Sequence, residues 1–384
     1  MGTRPLRSPG SGTNPLAWPR FSPLPPICGQ APRRVPEVMG RGPHIARQAL
    51  ALLIGIAGGA LADFVSMPLP WMLGSMLATT AAAVSGLPIL SPAALRPVVT
   101  PVIGVLLGSS VTLAVLRGAV TWLPSMLLLP VMLAVSAGLS YRVYTRVGGY
   151  DRTTAWFASA PGGLNEMILI GNAFGGDERR IALAHGSRVL FTVSFIGLWY
   201  GLVLGVSSAS GGGRPWVLLS ALRAQDLALL AGCAILGAML GHRLRIPAGV
   251  MFVPMILSSL VHVTGLSTVP PPTIFVIAAQ VVLGSVVGAR FAGVSLSRIR
   301  RDALLGLSTA ILMLASAVGF AELSHLVSGI DTAQALLAYA PGGLTEMSLL
   351  ALAMGESPAF VSVTHIVRLV MVIASAPLIF RKLR

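Results

Sequence analysis

Twelve apolar runs succeed one another along the chain, at roughly residues 48–66, 68–86, 98–116, 121–141, 153–174, 184–206, 226–241, 247–265, 272–289, 303–323, 333–354 and 359–380, with short polar or basic segments between them. Several approach the ~20 residues that carry a helix across a bilayer. The pattern predicts an all-α, polytopic membrane helix bundle. Two regions break it. The first 44 residues are rich in Pro, Gly and Arg, have no periodicity and predict a disordered tail. They lack the continuous apolar stretch of ~7–15 residues of a secretory signal, and Met39 offers an alternative start. The segment SSASGGGRPW (207–216) has the composition of a linker.

Composition supports the membrane reading. Hydrophobic residues make up 54% of the 384, charged residues only 10%, and the mean hydropathy is +0.82. A soluble domain carries about 25% charged residues. The net charge of +15 comes from basic residues standing singly or in short clusters between apolar runs, where positive-inside charges belong. No basic helix or finger is present to enter a nucleic-acid groove, so no nucleic-acid partner is expected. Cys28 and Cys233 form no CxxC motif and no disulfide framework. The six histidines form neither HxH nor HExxH, so neither a metal nor a cofactor is expected.

Within the apolar sequence one octapeptide is written twice, APGGLNEM at 160–167 and APGGLTEM at 340–347. Residues 151–172 and 331–352, offset by 180, are identical at eleven of twenty-two positions, and the same offset pairs His185 with His365 and Arg188 with Arg368. MPLPWMLGSM (67–76) pairs with IPAGVMFVPM (246–255) at an offset of 179, and LLGSSV (106–111) with VLGSVV (282–287) at 176. The chain therefore divides into a tail (1–44), membrane repeat 1 (45–206), a linker (207–225), membrane repeat 2 (226–380) and a basic end (381–384).

Orientation follows from the basic residues between runs. If all twelve runs cross, Lys and Arg divide 11 to 9 between the two sides from Arg41 onward, excluding Arg188 and Arg368. If the two PGG runs enter and leave on one side, the division is 17 to 3, with only Arg117, Arg214 and Arg223 outside. The positive-inside rule selects the second arrangement, with both termini cytoplasmic. Each repeat then makes five crossings plus a PGG-broken or re-entrant helix. An odd number of crossings inverts one repeat relative to the other, an arrangement found in transporters whose site lies at the repeat interface.

The octapeptide is built to break a helix. Pro161 and Pro341 lack the N–H that a preceding turn needs, while Gly162, Gly163, Gly342 and Gly343 permit unusual torsions and close approach of a ligand to the main chain. Asn165 and Thr345 supply polar side chains, and Glu166 and Glu346 fall in the first turn of the second half-helix. Ionisable groups in apolar runs are costly and mark function or pairing. His185/Arg188 and His365/Arg368 each share a helix face by their spacing of three. Two roles follow. A Glu–Arg ion pair could bind hairpin to helix. Alternatively, Glu takes a proton or cation while Arg and the half-helix N-termini hold an anion. The histidines serve either as proton relays or as hydrogen-bonding core residues. These fourteen residues are the candidate solute or coupling-ion site. Asp151 and Asp331 are expected to cap the PGG runs, and Gln280 to face the bundle.

A duplicated membrane half carrying APGGLNEM…HGSRVL and APGGLTEM…HIVRLV resembles the AbrB family of bacterial integral membrane proteins, over about residues 45–380. This family is distinct from the small DNA-binding regulators sharing its name. The resemblance implies a transporter in the bacterial plasma membrane. Family members also carry the labels regulator of gene expression and ammonia monooxygenase. The second requires a metal-ligand cluster that is not visible here. The expectation is a secondary transporter, not an enzyme, moving a small solute such as an organic anion or amino-acid-like molecule by alternating access. No GxxxxGK[ST] motif is present for ATP use, so a coupling ion or proton is the expected driver. The other reading is a membrane sensor acting on gene expression through a partner. A homodimer is compatible with the sequence.

Overall fold

The computed structural model describes residues 41–202, 216–293 and 296–383, and every regular element among them is helical. The expected tail up to residue 40 and the linker up to residue 215 lie outside the described residues. Repeat 1 comprises α1 (Arg41–Phe64), α2 (Pro70–Val84), α3 (Arg96–Gly108), the short α4 (Leu113–Arg117), α5 (Trp122–Arg142), α6 (Arg152–Ser159), α7 (Leu164–Ala173) and α8 (Glu178–Leu202). Repeat 2 comprises α9 (Ala224–Arg243), α10 (Gly249–Val263), α11 (Thr273–Gly288), α12 (Leu296–Ser328), α13 (Thr332–Tyr339), α14 (Leu344–Ala353) and α15 (Pro358–Leu383). Among the described residues, seven helical stretches are long and apolar enough to cross a membrane: 44–64, 113–147, 178–201, 224–243, 273–291, 301–328 and 358–382. Of the ten expected crossings, α2, α3 and α10 are shorter, at 15, 13 and 15 residues. A left-handed residue, Leu69 (φ 46°) or Ala248 (φ 56°), starts α2 or α10 late within its apolar run.

Both PGG segments are re-entrant hairpins, the choice that hydropathy leaves open. Asp151 and Asp331 cap α6 and α13 through the backbone N–H of Thr154 and Ala333, each at 3.0 Å. Each hairpin then returns to its starting end. The Asp177 N–H, beyond α7, donates to Thr154 Oγ1 at 2.8 Å. Glu356, beyond α14, hydrogen-bonds Asp331, and burial together with that second carboxylate pushes its carboxyl above the usual range. The two bases lie at opposite ends of α15, a helix about 39 Å long at 1.5 Å per residue. Its N-terminus follows Glu356, while near its C-terminus Phe380 packs 5.5 Å from both Phe157 and Phe174 of the first hairpin. The hairpins therefore point toward each other.

The repeats are locked together by exchange. α3 carries Gly104 and Gly108, and α11 carries Gly284 and Gly288, each pair one helical turn apart. A Cβ on Gly104 or Gly108 would strike the carbonyl oxygen of Met251 or Met255 on α10. A Cβ on Gly284 or Gly288 would strike that of Met72 or Met76 on α2. Repeat 1's α3 thus packs on repeat 2's α10, and repeat 2's α11 on repeat 1's α2. Small residues four apart permit this backbone contact where water supplies no hydrophobic drive. The packing also corrects the sequence pairing of LLGSSV with VLGSVV at 176. Gly104 is equivalent to Gly284 at an offset of 180, one turn away, because GxxxG can be aligned on itself in two registers.

Gly284→Val is expected to lower stability by about 1–3 kcal/mol through overpacking. Gly319→Val on α12, where an added Cβ meets nothing within 4 Å, is expected to change it by no more than about 0.5 kcal/mol. Thermal unfolding of the detergent-solubilised chain compares the two.

Candidate functional site

The break in each hairpin leaves backbone groups without helical partners, which must be satisfied inside the bundle. Pro161 cannot donate to the carbonyl of Phe157 four residues earlier, nor Pro341 to that of Leu337. His185 Nε2 lies 2.9 Å from the first carbonyl and His365 Nε2 3.1 Å from the second. A carbonyl only accepts, so each Nε2 carries the proton and each Nδ1 is an acceptor. Arg188 Nη2 donates to His185 Nδ1 at 2.9 Å, and Arg368 Nη2 to His365 Nδ1 at 3.1 Å. The same guanidiniums reach the ends of the first half-helices. Arg188 donates to Ala160 O at 3.4 Å; Arg368 donates to Ala340 O at 2.6 Å and Gly342 O at 3.0 Å. A cation suits the negative end of a helix dipole.

The carboxylates sit on the other side of the break. Gly163 and Gly343 are the N-caps of α7 and α14, in extended conformation, which places Glu166 and Glu346 at the third helical position. There each side chain folds back over its glycine: a Cβ at 163 or 343 would collide with the Oε2 of Glu166 or Glu346. This resembles the glutamate half of a capping box, with the carboxylate at the positive end of the half-helix. The second glycine of PGG is therefore the space the carboxylate fills.

No Glu–Arg ion pair forms at the site among the described residues, which corrects the pairing considered from sequence. Arginine holds the C-terminal end of one half-helix and glutamate the N-terminal end of the next. The histidines have both ring nitrogens engaged, the hydrogen-bonding arrangement considered from sequence.

One cavity of about 650 Å³ is lined by thirteen of the fourteen nominated residues. The exception is Pro341, which is buried beside it. The cavity also takes in Arg96, Arg290, Thr100, His242 and Arg245, which sequence reasoning assigned only to topology or passed over. Their signal was faint: single basic residues at helix ends, without the repeat symmetry that marks the hairpins. Five arginines thus face the cavity (Arg96, Arg188, Arg245, Arg290 and Arg368) against two glutamates. Arg290 stands in the field of Arg96 and Glu346. Gln280 is buried in α11, 2% exposed, and does not line the cavity. Among the described residues no group of three His, Cys, Asp or Glu side chains is placed to hold a metal ion.

The two half-sites are equivalent in sequence but unequal in exposure. Asn165 is exposed and Glu166 half-buried, whereas Thr345 and Glu346 are 6% and 8% exposed. The cavity reaches the exposed Arg96, His242 and Arg245.

The family model described as "Transition state regulatory protein AbrB" matches residues 71–384. The chain is similar to "Putative regulator AbrB" of Escherichia coli (strain K12), 26% identical over 337 residues, covering 86% of this chain and 94% of that protein. It is also similar to "Uncharacterized protein YhjN" of Bacillus subtilis (strain 168), 24% identical over 373 residues, covering 90% and 95%.

Gly343→Ala is expected to expel the Glu346 side chain and cost about 1–3 kcal/mol. Removing the carboxylate as well, in Gly343→Ala/Glu346→Ala, is expected to recover at least about 1 kcal/mol of that loss, a coupling that a double-mutant cycle of thermal unfolding measures.

Proposed function

The chain belongs to the AbrB family, and on that premise we propose that this membrane protein is a secondary transporter moving a small solute by alternating access. Its setting is the bacterial plasma membrane, with cytoplasmic termini as the 17-to-3 division of basic residues favours. The observation that carries the proposal is the meeting of two opposed, sequence-equivalent hairpins at one cavity, with one half-site open and the other covered. Inverted repeats make such asymmetry reversible: exchanging the conformations of the repeats opens the cavity to the other side. The solute lies between the hairpin tips, and Glu166 and Glu346 take the coupling ion or proton. The cavity volume falls within the range of about 300–1,000 Å³ typical of small-molecule sites. In this reading the chain is a carrier and catalyses no reaction.

A sensor acting on gene expression is the second reading, favoured by the regulator name of the Escherichia coli relative. It requires a stable cytosolic partner and no solute flux.

The test has two parts. In a chain with Cys28 and Cys233 removed, an impermeant thiol reagent applied outside intact cells is expected to label Ser357→Cys, beside the second hairpin's base, and to spare Gly175→Cys. Labelling both sites alike, or only Gly175→Cys, contradicts the inverted topology. Proteoliposomes are then expected to accumulate a solute under an imposed ion or proton gradient, at a rate lowered at least about tenfold by Glu166→Gln/Glu346→Gln. Absence of flux across a broad solute panel, together with a crosslinked cytosolic partner, favours the sensor.

A further inference from the structure

The N-termini of the half-helices α7 and α14 each carry one of the protein's own glutamates, folded back over the N-cap glycine. Each N-terminus offers unpaired N–H groups and the positive end of a dipole. Each carboxylate reaches it only because a glycine leaves the space. Independently, Arg188 and Arg368, 3% and 6% exposed, line the same cavity, and each keeps its Nε–H without a hydrogen-bond partner. Together with Arg96, Arg245 and Arg290 they set five arginines against two glutamates around the cavity, an excess of positive charge that an anion would offset.

Resting on the transporter reading, we infer that Glu166 and Glu346 are tethered stand-ins for the solute, which is a small organic anion of the carboxylate class. Solute and glutamate compete for the same half-helix N-terminus. When Glu166, the more exposed of the two, takes a proton from the open mouth, it ceases to be an anion and yields its place. The solute carboxylate then lies between the N-terminus of α7 and the arginine guanidiniums. On the covered side Glu346 does the same when that side opens. The solute therefore travels with protons, and its negative charge replaces the charge the glutamate gives up.

The surroundings agree in sign. From α8 and α15, Arg188 and Arg368 face the cavity, with His185 and His365 held neutral by their two hydrogen bonds. From α3 and the 3-10 turn after α11 come Arg96 and Arg290, and from α9 and the turn before α10 come His242 and Arg245. Apart from the two glutamates no carboxylate among the described residues lines the cavity. Protonating them leaves a strongly positive chamber, which favours an entering anion.

The test uses the full chain in detergent, with succinate as the probe and choline as the cationic control. Ligand binding raises the thermal midpoint by mass action. Succinate is expected to stabilise the wild-type chain more at acidic than at neutral pH, and choline at neither. Glu166→Gln/Glu346→Gln, a neutral isostere of the protonated pair, is expected to bind succinate at least about tenfold more tightly at neutral pH and without pH dependence. Arg188→Lys/Arg368→Lys, which keeps charge and loses the planar fork, is expected to bind at least about tenfold more weakly. Succinate binding unchanged by the glutamine substitutions, or absent from a monodisperse glutamine variant, overturns the inference. Flux of a cationic or neutral solute without succinate binding overturns it and leaves the transporter standing. Succinate binding with the expected glutamine effect, but with no flux under any gradient, upholds the anion site and removes the transporter.

Discussion

A helix broken inside a membrane leaves carbonyls on one side of the break and N–H groups on the other, with no water to satisfy them. The structure meets that constraint twice with one set of residues. Proline makes the break. The histidine of the following helix takes the carbonyl that proline orphans. The arginine one turn on takes the next carbonyls and steadies the histidine. Glutamate folds onto the new N-terminus through the gap a glycine leaves. The candidate site is what remains when these local demands are met: oriented, charged and only partly satisfied groups facing a shared cavity.

That chemistry needs a frame able to hold two hairpins tip to tip. The exchanged packing of α3 on α10 and α11 on α2 supplies it, because backbone-to-backbone contact at four glycines fixes each repeat against the other. The longer α8, α12 and α15 run past the hairpins and bring their bases to opposite ends. Small glycines at the frame and large demands at the tips divide the labour: one part is rigid by close contact, the other is positioned by hydrogen bonds that can be exchanged. A guanidinium buried without a carboxylate partner among the described residues is a poor choice for stability alone, since burying an unpaired charge costs several kcal/mol. Its presence in both repeats argues for a ligand.

Much of this was legible in the sequence. The duplication, the break at Pro161 and Pro341, the aspartate caps and the shared face of His and Arg all follow from short-range rules. So did the opposed hairpins, because charge between helices reports topology. What stayed hidden was relational. Glu166 and Arg188 are opposite charges in neighbouring elements, and sequence suggests that they pair. They do not: Arg188 donates to Ala160 O and His185, while the Glu166 carboxylate folds back over Gly163. The role of Gly163 depends on where a side chain three residues later folds. Arg96 and Arg290 look like topology markers and become part of the cavity wall only through tertiary packing. The carbonyls that the histidines take are legible too: 157 and 337 are those that a proline four residues on must orphan.

The central claim is that equivalent half-sites open in turn to opposite faces. Its most direct measurement is labelling of Asn165→Cys and Thr345→Cys, in a background lacking Cys28 and Cys233, with an impermeant thiol reagent in vesicles of known orientation. The account predicts that reagent on the cytoplasmic face reaches position 165 at least about tenfold faster than position 345, and that reagent on the opposite face reverses the order. Equal labelling of both positions from a single face, with none from the other, would contradict it.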